Sequence, residues 1–193
     1  MQKSINWPSR INKYPKTLER FRATCIFFDV KFPPFLAGNI NSKTWVSWGA
    51  LTALASIPEI FTIEIETLGY YEAWEKSPER LFLKQHWLLA TLKELRNYET
   101  HFGFVERRNV NEMQGESIDS TLNHKSLFFR KVCFSDISQL NNVKNGKSYM
   151  NQGGLAKFNE IVEKNTVEDI VDMALDILSE QICIFSSKIN IHD

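Results

Sequence analysis

The spacing of hydrophobic positions predicts a chain built mainly from α-helices. Between residues 79 and 101 one helical stripe is formed by Leu81, Leu88, Leu92 and Leu95. Ser77-Pro78-Glu79 supplies an N-cap, a proline suited to the first helical position and an acid that favours the helix dipole. We therefore expect one long helix over residues 79–101, with Gly103 just past its end.

A second long stripe predicts the last helix, over residues 166–187. Thr166 and Asp169 resemble a capping box in which aspartate replaces the longer glutamate. The apolar positions that follow recur at three- and four-residue spacing, namely Val167, Ile170, Val171, Ala174, Leu178, Ile182 and Phe185. This pattern is typical of an amphipathic helix that packs on a core.

The N-terminal half carries weaker helical patterns. Residues 1–16 contain two prolines and predict an irregular arm, and residues 17–30 have the spacing of a first helix. Ser42 can cap a second helix that runs from about residue 44 to 56, and Pro58 is expected to stop it.

The segment FTIEIET, residues 61–67, has two interpretations. It alternates apolar and polar residues as a strand does, but Phe61, Ile65 and Leu68 also share one face of a helix. We favour a helix because both neighbouring segments are helical and no turn dipeptide closes a hairpin. The acids Glu64 and Glu66 are more typical of a solvated face than of an acid–base pair.

Residues 105–150 are polar and predict a small hairpin or an irregular insertion, within which residues 127–140 could form a hairpin or a short helix. Asn145-Gly146 and Gly153-Gly154 predict turns. The whole chain, residues 1–193, is then expected to form a single, mainly α domain: a bundle of four to five main helices.

Charge and hydropathy restrict the classes of function. The chain has 23 lysines and arginines and 23 aspartates and glutamates, so it lacks the basic excess of proteins that coat nucleic acid. Any nucleic-acid contact must be local. No stretch reaches the ~18 uninterrupted apolar residues of a membrane span, and no signal peptide is evident. We expect a cytoplasmic protein without a membrane partner.

The cysteines and histidines give no metal-binding pattern. Cys25, Cys133 and Cys183 lie far apart in apolar runs, which favours small buried hydrophobic side chains over a disulfide or a metal site. None of the four histidines has a second histidine or a cysteine at ligand spacing. We therefore expect neither a metal nor another cofactor.

The residues with the most distinctive chemistry are Arg96, Asn97 and His101, at the end of the leucine-rich helix. Asn97 and His101 are four residues apart and share a helix face, and the long side chain of Arg96 can reach the same place. Imidazole can move the proton of a ribose 2′-hydroxyl, and guanidinium can hold charge on phosphoryl oxygens. A second interpretation is structural, because arginine, asparagine and histidine also satisfy carbonyls and the dipole at a helix C-terminus.

The run Arg96-Asn97-Tyr98-Glu99-Thr100-His101 resembles the R-x(4–6)-H motif of the HEPN superfamily, in the form with a polar residue after the arginine. The resemblance implies an α-helical bundle that forms homodimers, with two motifs meeting in one cleft. It implies a metal-independent endoribonuclease acting on RNA, in a toxin–antitoxin or phage-defence setting. The alternative is a non-catalytic HEPN-like binding or scaffold module, for example the partner of a nucleotidyltransferase.

Two further residue assignments follow from this resemblance. Arg107 and Arg108, just beyond the motif, are candidates for RNA binding. Some HEPN toxins carry, two residues after the histidine, a tyrosine that a partner nucleotidyltransferase modifies with AMP. Gly103 stands at that position, so this form of control by an antitoxin partner is in doubt.

Overall fold

The computed structural model describes residues 9–29, 40–102, 107–109 and 127–189, and they are mainly helical, as the sequence predicts. The first half comprises a 3₁₀ turn (Ser9–Lys13), α1 (Pro15–Asp29), α2 (Ile40–Thr67), α3 (Tyr71–Glu75), α4 (Pro78–Gln85) and α5 (Trp87–Phe102). The second half comprises β1 (Arg107–Asn109), β2 (Leu127–Phe129), α6 (Phe134–Ile137), α7 (Asn141–Lys144), α8 (Gln152–Ile161) and α9 (Val167–Lys188). Residues 1–8 of the expected arm, and Gly103, lie outside the described residues.

Helix α2 is 28 residues long and packs against α1, α5 and α9. It joins the two segments expected to be separate, so the prediction that Pro58 ends a helix is wrong, whereas the helical interpretation of residues 61–67 is confirmed. A proline inside a helix costs about 3 kcal/mol. Burial of a large apolar side chain contributes about 1.5–3 kcal/mol, and Ile57, Phe61 and Ile65 are all fully buried. The free energy gained by burying these side chains therefore exceeds the cost of Pro58 inside the helix.

The N-terminus of α1 is capped by a carboxylate from α2. Glu64 accepts hydrogen bonds from the backbone N–H of Lys16 at 2.8 Å and of Thr17 at 2.8 Å, and from the Thr17 hydroxyl at 2.5 Å. These N–H groups belong to the first turn of α1. The backbone N–H groups of a first turn have no carbonyl acceptor within their own helix. Glu66 is exposed, so a solvated position is correct for Glu66 and wrong for Glu64.

The stripe over residues 79–101 forms two helices rather than one. Ser77 caps α4 as predicted, its hydroxyl accepting from the backbone N–H of Arg80 at 3.1 Å. His86 then takes an extended conformation, with φ −63° and ψ 120°, and α5 begins at Trp87. The change of direction lets α4 pack against α9 while α5 packs against α2 and α8. The prediction of one continuous helix is therefore wrong.

The last helix, α9, agrees with the prediction over 166–187. The Thr166 hydroxyl accepts from the Asp169 N–H at 3.1 Å, and the Asp169 carboxylate accepts from the Thr166 N–H at 2.9 Å, which completes the capping box. The buried side chains of α9 include Ile170, Leu178 and Phe185. They face α2, α4 and β2.

An aromatic cluster links distant parts of the core. The ring of Phe61 meets Tyr14 at 4.8 Å, Trp74 at 4.8 Å and Phe185 at 6.2 Å, each edge to face. The Tyr14 hydroxyl donates to the Ser186 hydroxyl at 2.8 Å, and burial raises the pKa of Tyr14. The cluster therefore joins α2, α3 and α9 to Tyr14, the residue between the 3₁₀ turn and α1.

The polar region after α5 contains both strand and helix. β1 and β2 form an antiparallel pair in which Arg107 lies opposite Phe129, and residues 110–126 lie outside the described residues. Gly146 has φ +65° and makes the expected turn. Gly153-Gly154 is not a turn but the start of α8, where the Asn151 side chain accepts from the Gly154 N–H at 2.8 Å.

The helix lengths change two further expectations, namely the number of main helices and the lack of a segment that could span a membrane. Six helices in the described ranges have eight or more residues, against the four to five expected, because the leucine stripe is split and α8 was not foreseen. Within α2, Val46–Thr67 is long and apolar enough to cross a bilayer by length and composition. Half of its most apolar window is buried inside the fold.

Candidate active site

Helix α5 carries Arg96, Asn97 and His101 in its last two turns. The inward face of the helix is defined by Leu88 and Leu95, which are fully buried. That face is held between α2 and α8. The opposite face is left for solvent, and Lys93, Thr100 and His101 are exposed on it.

Asn97 and His101 lie one turn apart on this outward face, with their Cα atoms separated by ~6 Å along the helix axis. Asn97 is half-buried and His101 is exposed. Arg96 is also half-buried and is rotated about 100° from Asn97 around the helix. The three residues therefore occupy adjacent positions on the accessible side of α5.

A buried carboxylate orients the Asn97 side chain. The Asn97 Nδ2 donates to Glu94 Oε2 at 3.0 Å, and Glu94 is only 3% exposed. The bond uses one of the two amide N–H groups and leaves the amide oxygen available as an acceptor. Sequence reasoning did not identify Glu94, although its position three residues before Asn97 is a helical contact spacing.

Arg96 has an unusual environment. Its Nε is enclosed by the protein and makes no hydrogen bond to any described residue. A buried donor without an acceptor typically costs about 1–3 kcal/mol, so such a group calls for an explanation. The backbone carbonyl of Arg96, by contrast, accepts from the Thr100 hydroxyl at 2.8 Å.

The three residues do not form a closed catalytic arrangement by themselves. Within the described ranges, no hydrogen bond joins Arg96, Asn97 or His101 to another of the three. The helix presents an imidazole, an amide and a guanidinium at adjacent positions, without hydrogen bonds among them. A substrate phosphate held there would need contacts from outside this helix.

The other candidate residues are placed less completely. Arg107 and Arg108 form β1, five and six residues after the end of α5. Their side chains lie outside what the structure describes, so no contact to the α5 group can be assigned. The strand pair with β2 fixes their backbone beside Phe128 and Phe129.

Metal-binding and cysteine chemistry have little support in the described part of the chain. It contains no group of three or more histidine, cysteine, aspartate or glutamate side chains arranged to hold a metal ion. Cys25 and Cys183 are half-buried, as expected of small apolar side chains, but Cys133 is exposed, which contradicts the prediction for that residue. It precedes α6 at the surface.

A cleft of about 480 Å³ opens beside α5. Leu89, Lys93 and Glu94 line it from α5, and the other walls come from α2, α4, residues 147–149 and Leu178. We call this space the α5 cleft. No local sequence pattern could reveal it, because its walls are far apart in the chain.

Comparisons of the chain with protein-family models, curated proteins and solved structures give no significant match. The functional assignment therefore depends on the residues of α5 and the chemistry they can perform.

Proposed function

We propose that this protein is a metal-independent endoribonuclease of the HEPN type that acts as a homodimer. The observation that carries the proposal is the outward face of α5. On it an exposed imidazole, His101, lies next to an oriented amide, Asn97, and an arginine whose Nε lacks an acceptor among the described residues. A general acid–base group, a polar positioning group and a cation are what RNA cleavage requires when no metal is used.

In the proposed reaction, His101 removes the proton of a ribose 2′-hydroxyl. The resulting 2′-oxygen attacks the adjacent phosphorus, and the bond from phosphorus to the 5′-oxygen breaks. A second imidazole, His101 of the other subunit, gives its proton to the departing 5′-oxygen. The products are a 2′,3′-cyclic phosphate and a 5′-hydroxyl, and DNA is not cleaved because it lacks the 2′-hydroxyl.

Arg96 acts on the phosphate, and Asn97 positions the reacting groups. The guanidinium of Arg96 stabilises the charge that grows on the phosphoryl oxygens in the transition state. The Asn97 amide, held by Glu94, orients the substrate or the neighbouring side chain. Arg107 and Arg108 are proposed to bind RNA beyond the scissile phosphate.

The exposure of His101 and the lack of hydrogen bonds among the three residues support the proposed homodimer. A two-fold axis places the same helix face of each subunit opposite itself, so two motifs would meet across one cleft. Light scattering of the purified protein is expected to give twice the chain mass of 22.5 kDa. A single-chain mass at high micromolar concentration would contradict the composite site.

The decisive experiment is cleavage of end-labelled RNA by the wild type and by His101→Ala and Arg96→Ala. Loss of a general acid–base group typically lowers a rate ~10²–10⁴-fold, and loss of a charge-stabilising donor ~10²–10³-fold. Both variants should keep the helical circular dichroism spectrum and the dimer mass. EDTA should leave the wild-type rate unchanged.

Two matched substitutions serve as controls. Thr100→Ala removes an exposed side chain at a variable position within the motif, and Arg22→Ala removes an exposed arginine from α1. Both should cleave RNA at close to the wild-type rate. Cleavage by His101→Ala at the wild-type rate, or loss of wild-type cleavage on chelation, would rule out this mechanism.

The same assay distinguishes the alternative of a non-catalytic binding or scaffold module. Such a protein would retain RNA in a filter-binding assay or capture a nucleotidyltransferase, without producing cleaved RNA at any enzyme concentration. The toxin–antitoxin or phage-defence setting is part of the enzyme proposal. It predicts growth arrest on induced expression of the wild type and not of His101→Ala.

A further inference from the structure

We propose that the α5 cleft binds a small amphipathic carboxylate with an unbranched aliphatic tail. The proposal does not rest on the ribonuclease activity, although Glu94 both lines the cleft and accepts the hydrogen bond from Asn97. Its volume, about 480 Å³, lies within the ~300–1,000 Å³ usual for small-molecule sites.

The walls of the α5 cleft are mostly aliphatic. They include Leu51, Leu54, Leu83, Leu89 and Leu92. These side chains come from three helices, α2, α4 and α5, which pack together through the core. Apolar walls of this kind favour a ligand whose body is apolar.

Most polar atoms of Thr62, Trp74 and Arg80, which line the α5 cleft, are engaged with one another. The Thr62 hydroxyl accepts from Trp74 Nε1 at 2.9 Å and from Arg80 Nη1 at 2.7 Å, and donates to the Pro58 carbonyl at 2.7 Å. Arg80 is also ion-paired with Glu75, and its Nε is buried without a hydrogen-bond partner among the described residues. A nucleoside would need several free polar partners for its base and sugar, and this group of residues offers one such atom.

The rim of the α5 cleft carries positive charge. Lys93 from α5 and Lys147 from the segment after α7 both line it and are exposed, and neither has an ion-pair partner among the described residues. Glu94, which also lines the cleft, is bound to Asn97, and Glu59 is exposed. A ligand carboxylate at this rim would therefore meet two lysines without an ion-pair partner among the described residues, against one exposed acid, Glu59.

The segment that carries Lys147 is held in place by local hydrogen bonds. The turn at Gly146, with φ +65°, brings the chain back so that the N–H groups of Lys147 and Ser148 donate to the Asn142 carbonyl at 2.8 and 3.1 Å. Tyr149 follows and lines the opening. The backbone of the segment that carries Lys147 is therefore held in a defined conformation.

Calorimetric titration of the full chain tests separately the contributions of the ligand's charge and of its aliphatic tail. Octanoate is the principal probe, octan-1-ol has the same tail without charge, and hexanoate has the same charge with two fewer methylenes. Each methylene buried contributes roughly a fourfold change in affinity, so hexanoate, with two fewer methylenes, should bind about fifteenfold more weakly. Octan-1-ol should also bind more weakly than octanoate.

Variants locate the ligand in the α5 cleft. Lys93→Met together with Lys147→Met keeps the aliphatic stems but removes both charges, and should weaken octanoate about three- to twentyfold with little effect on octan-1-ol. Ala55→Phe, which fills the space from α2, should abolish binding of both. Lys164→Met, an exposed lysine away from the cleft, is the control and should bind octanoate as the wild type does.

Several results would overturn the proposal. They are no octanoate binding, equal binding of octan-1-ol and octanoate, tighter binding of adenosine monophosphate than of octanoate, or unchanged octanoate binding by a folded Ala55→Phe. If Ala55→Phe does not fold, the paired lysine variant decides alone. None of these measurements uses RNA, so this proposal and the ribonuclease proposal fail or succeed separately.

Discussion

Replacing Glu64 by alanine should destabilise the protein strongly, although Glu64 is one of many acids and lies outside the candidate sites. Its carboxylate is the acceptor for two first-turn N–H groups of α1, at 2.8 Å each, and for the buried Thr17 hydroxyl. A hydrogen bond to a charged group contributes about 1.5–3 kcal/mol, and an acid at a helix N-terminus adds about 0.3–1 kcal/mol.

The expected loss is smaller than the sum of these contributions, because water can replace part of the carboxylate. Lys16 is exposed and its N–H can bond to solvent, whereas Thr17 is 0% exposed and would keep unpaired polar groups. We therefore expect Glu64→Ala to lower the free energy of unfolding by about 2–4 kcal/mol. For a chain of this size that corresponds to a melting temperature lower by about 5–15 °C.

Urea unfolding followed by circular dichroism measures this effect, with Glu66→Ala as the matched control. Glu66 lies two residues further along the same helix, is exposed, and loses the same charge on substitution. Its variant should stay within about 0.5 kcal/mol of the wild type. Equal losses in the two variants, or a loss below about 0.5 kcal/mol for Glu64→Ala, would refute the argument that this carboxylate caps α1.

Three further predictions test other parts of the fold. Thr166→Ala removes the cap of α9 and should lower the free energy of unfolding by about 1 kcal/mol in urea titration; no change would contradict the capping role. Phe61→Ala should lower it by about 3–5 kcal/mol, or prevent folding, because the ring is fully buried among three aromatic rings; a loss below 1 kcal/mol would argue against that packing. Burial, reinforced by Lys157, lowers the pKa of His86 below its ordinary 6.5, so the unfolded chain takes up the proton more readily and stability declines as the pH falls from about 6.5 towards the lowered pKa. His86→Leu should show a smaller decline between about pH 7.5 and 5, and equal slopes would contradict this assignment.

The parts of the fold that were predicted correctly depend on neighbours in sequence. The cap of α9 needs only Thr166 and Asp169, three residues apart, and its stripe needs only helical periodicity. Ser77 likewise caps α4 through a residue three positions away. Such signals are complete within one or two turns of chain.

The incorrect predictions concern residues whose role is set by distant packing. Pro58 carries a local signal to stop, but α2 continues because its buried face contacts α1, α5 and α9. Nothing local marks the break at His86, where neither glycine nor proline stands. Glu64 caps a helix that begins 49 positions before it, at Pro15, so only the folded structure reveals its function.

In the candidate active site, too, the features set by local spacing were predictable from the sequence, and those set by tertiary packing were not. The shared face of Asn97 and His101 follows from a spacing of four residues, and the contact from Asn97 to Glu94 could have been inferred from a spacing of three. The burial of the Arg96 Nε could not have been inferred from the sequence, because it depends on the elements packed around α5. The α5 cleft is likewise a product of tertiary structure.

The hydrogen bond from Tyr14 to Ser186 has a consequence for biosynthesis. The two residues are 172 positions apart, yet their contact lies beside the aromatic cluster around Phe61. A ribosome adds about 5–20 residues per second, so the segment around Tyr14 must wait on the order of ten seconds or more for its partner to be translated. During that interval α2 is synthesised without the helix whose Phe185 packs on Phe61. Chaperones that bind exposed apolar segments would therefore act on the nascent chain before the last helix emerges and closes the core.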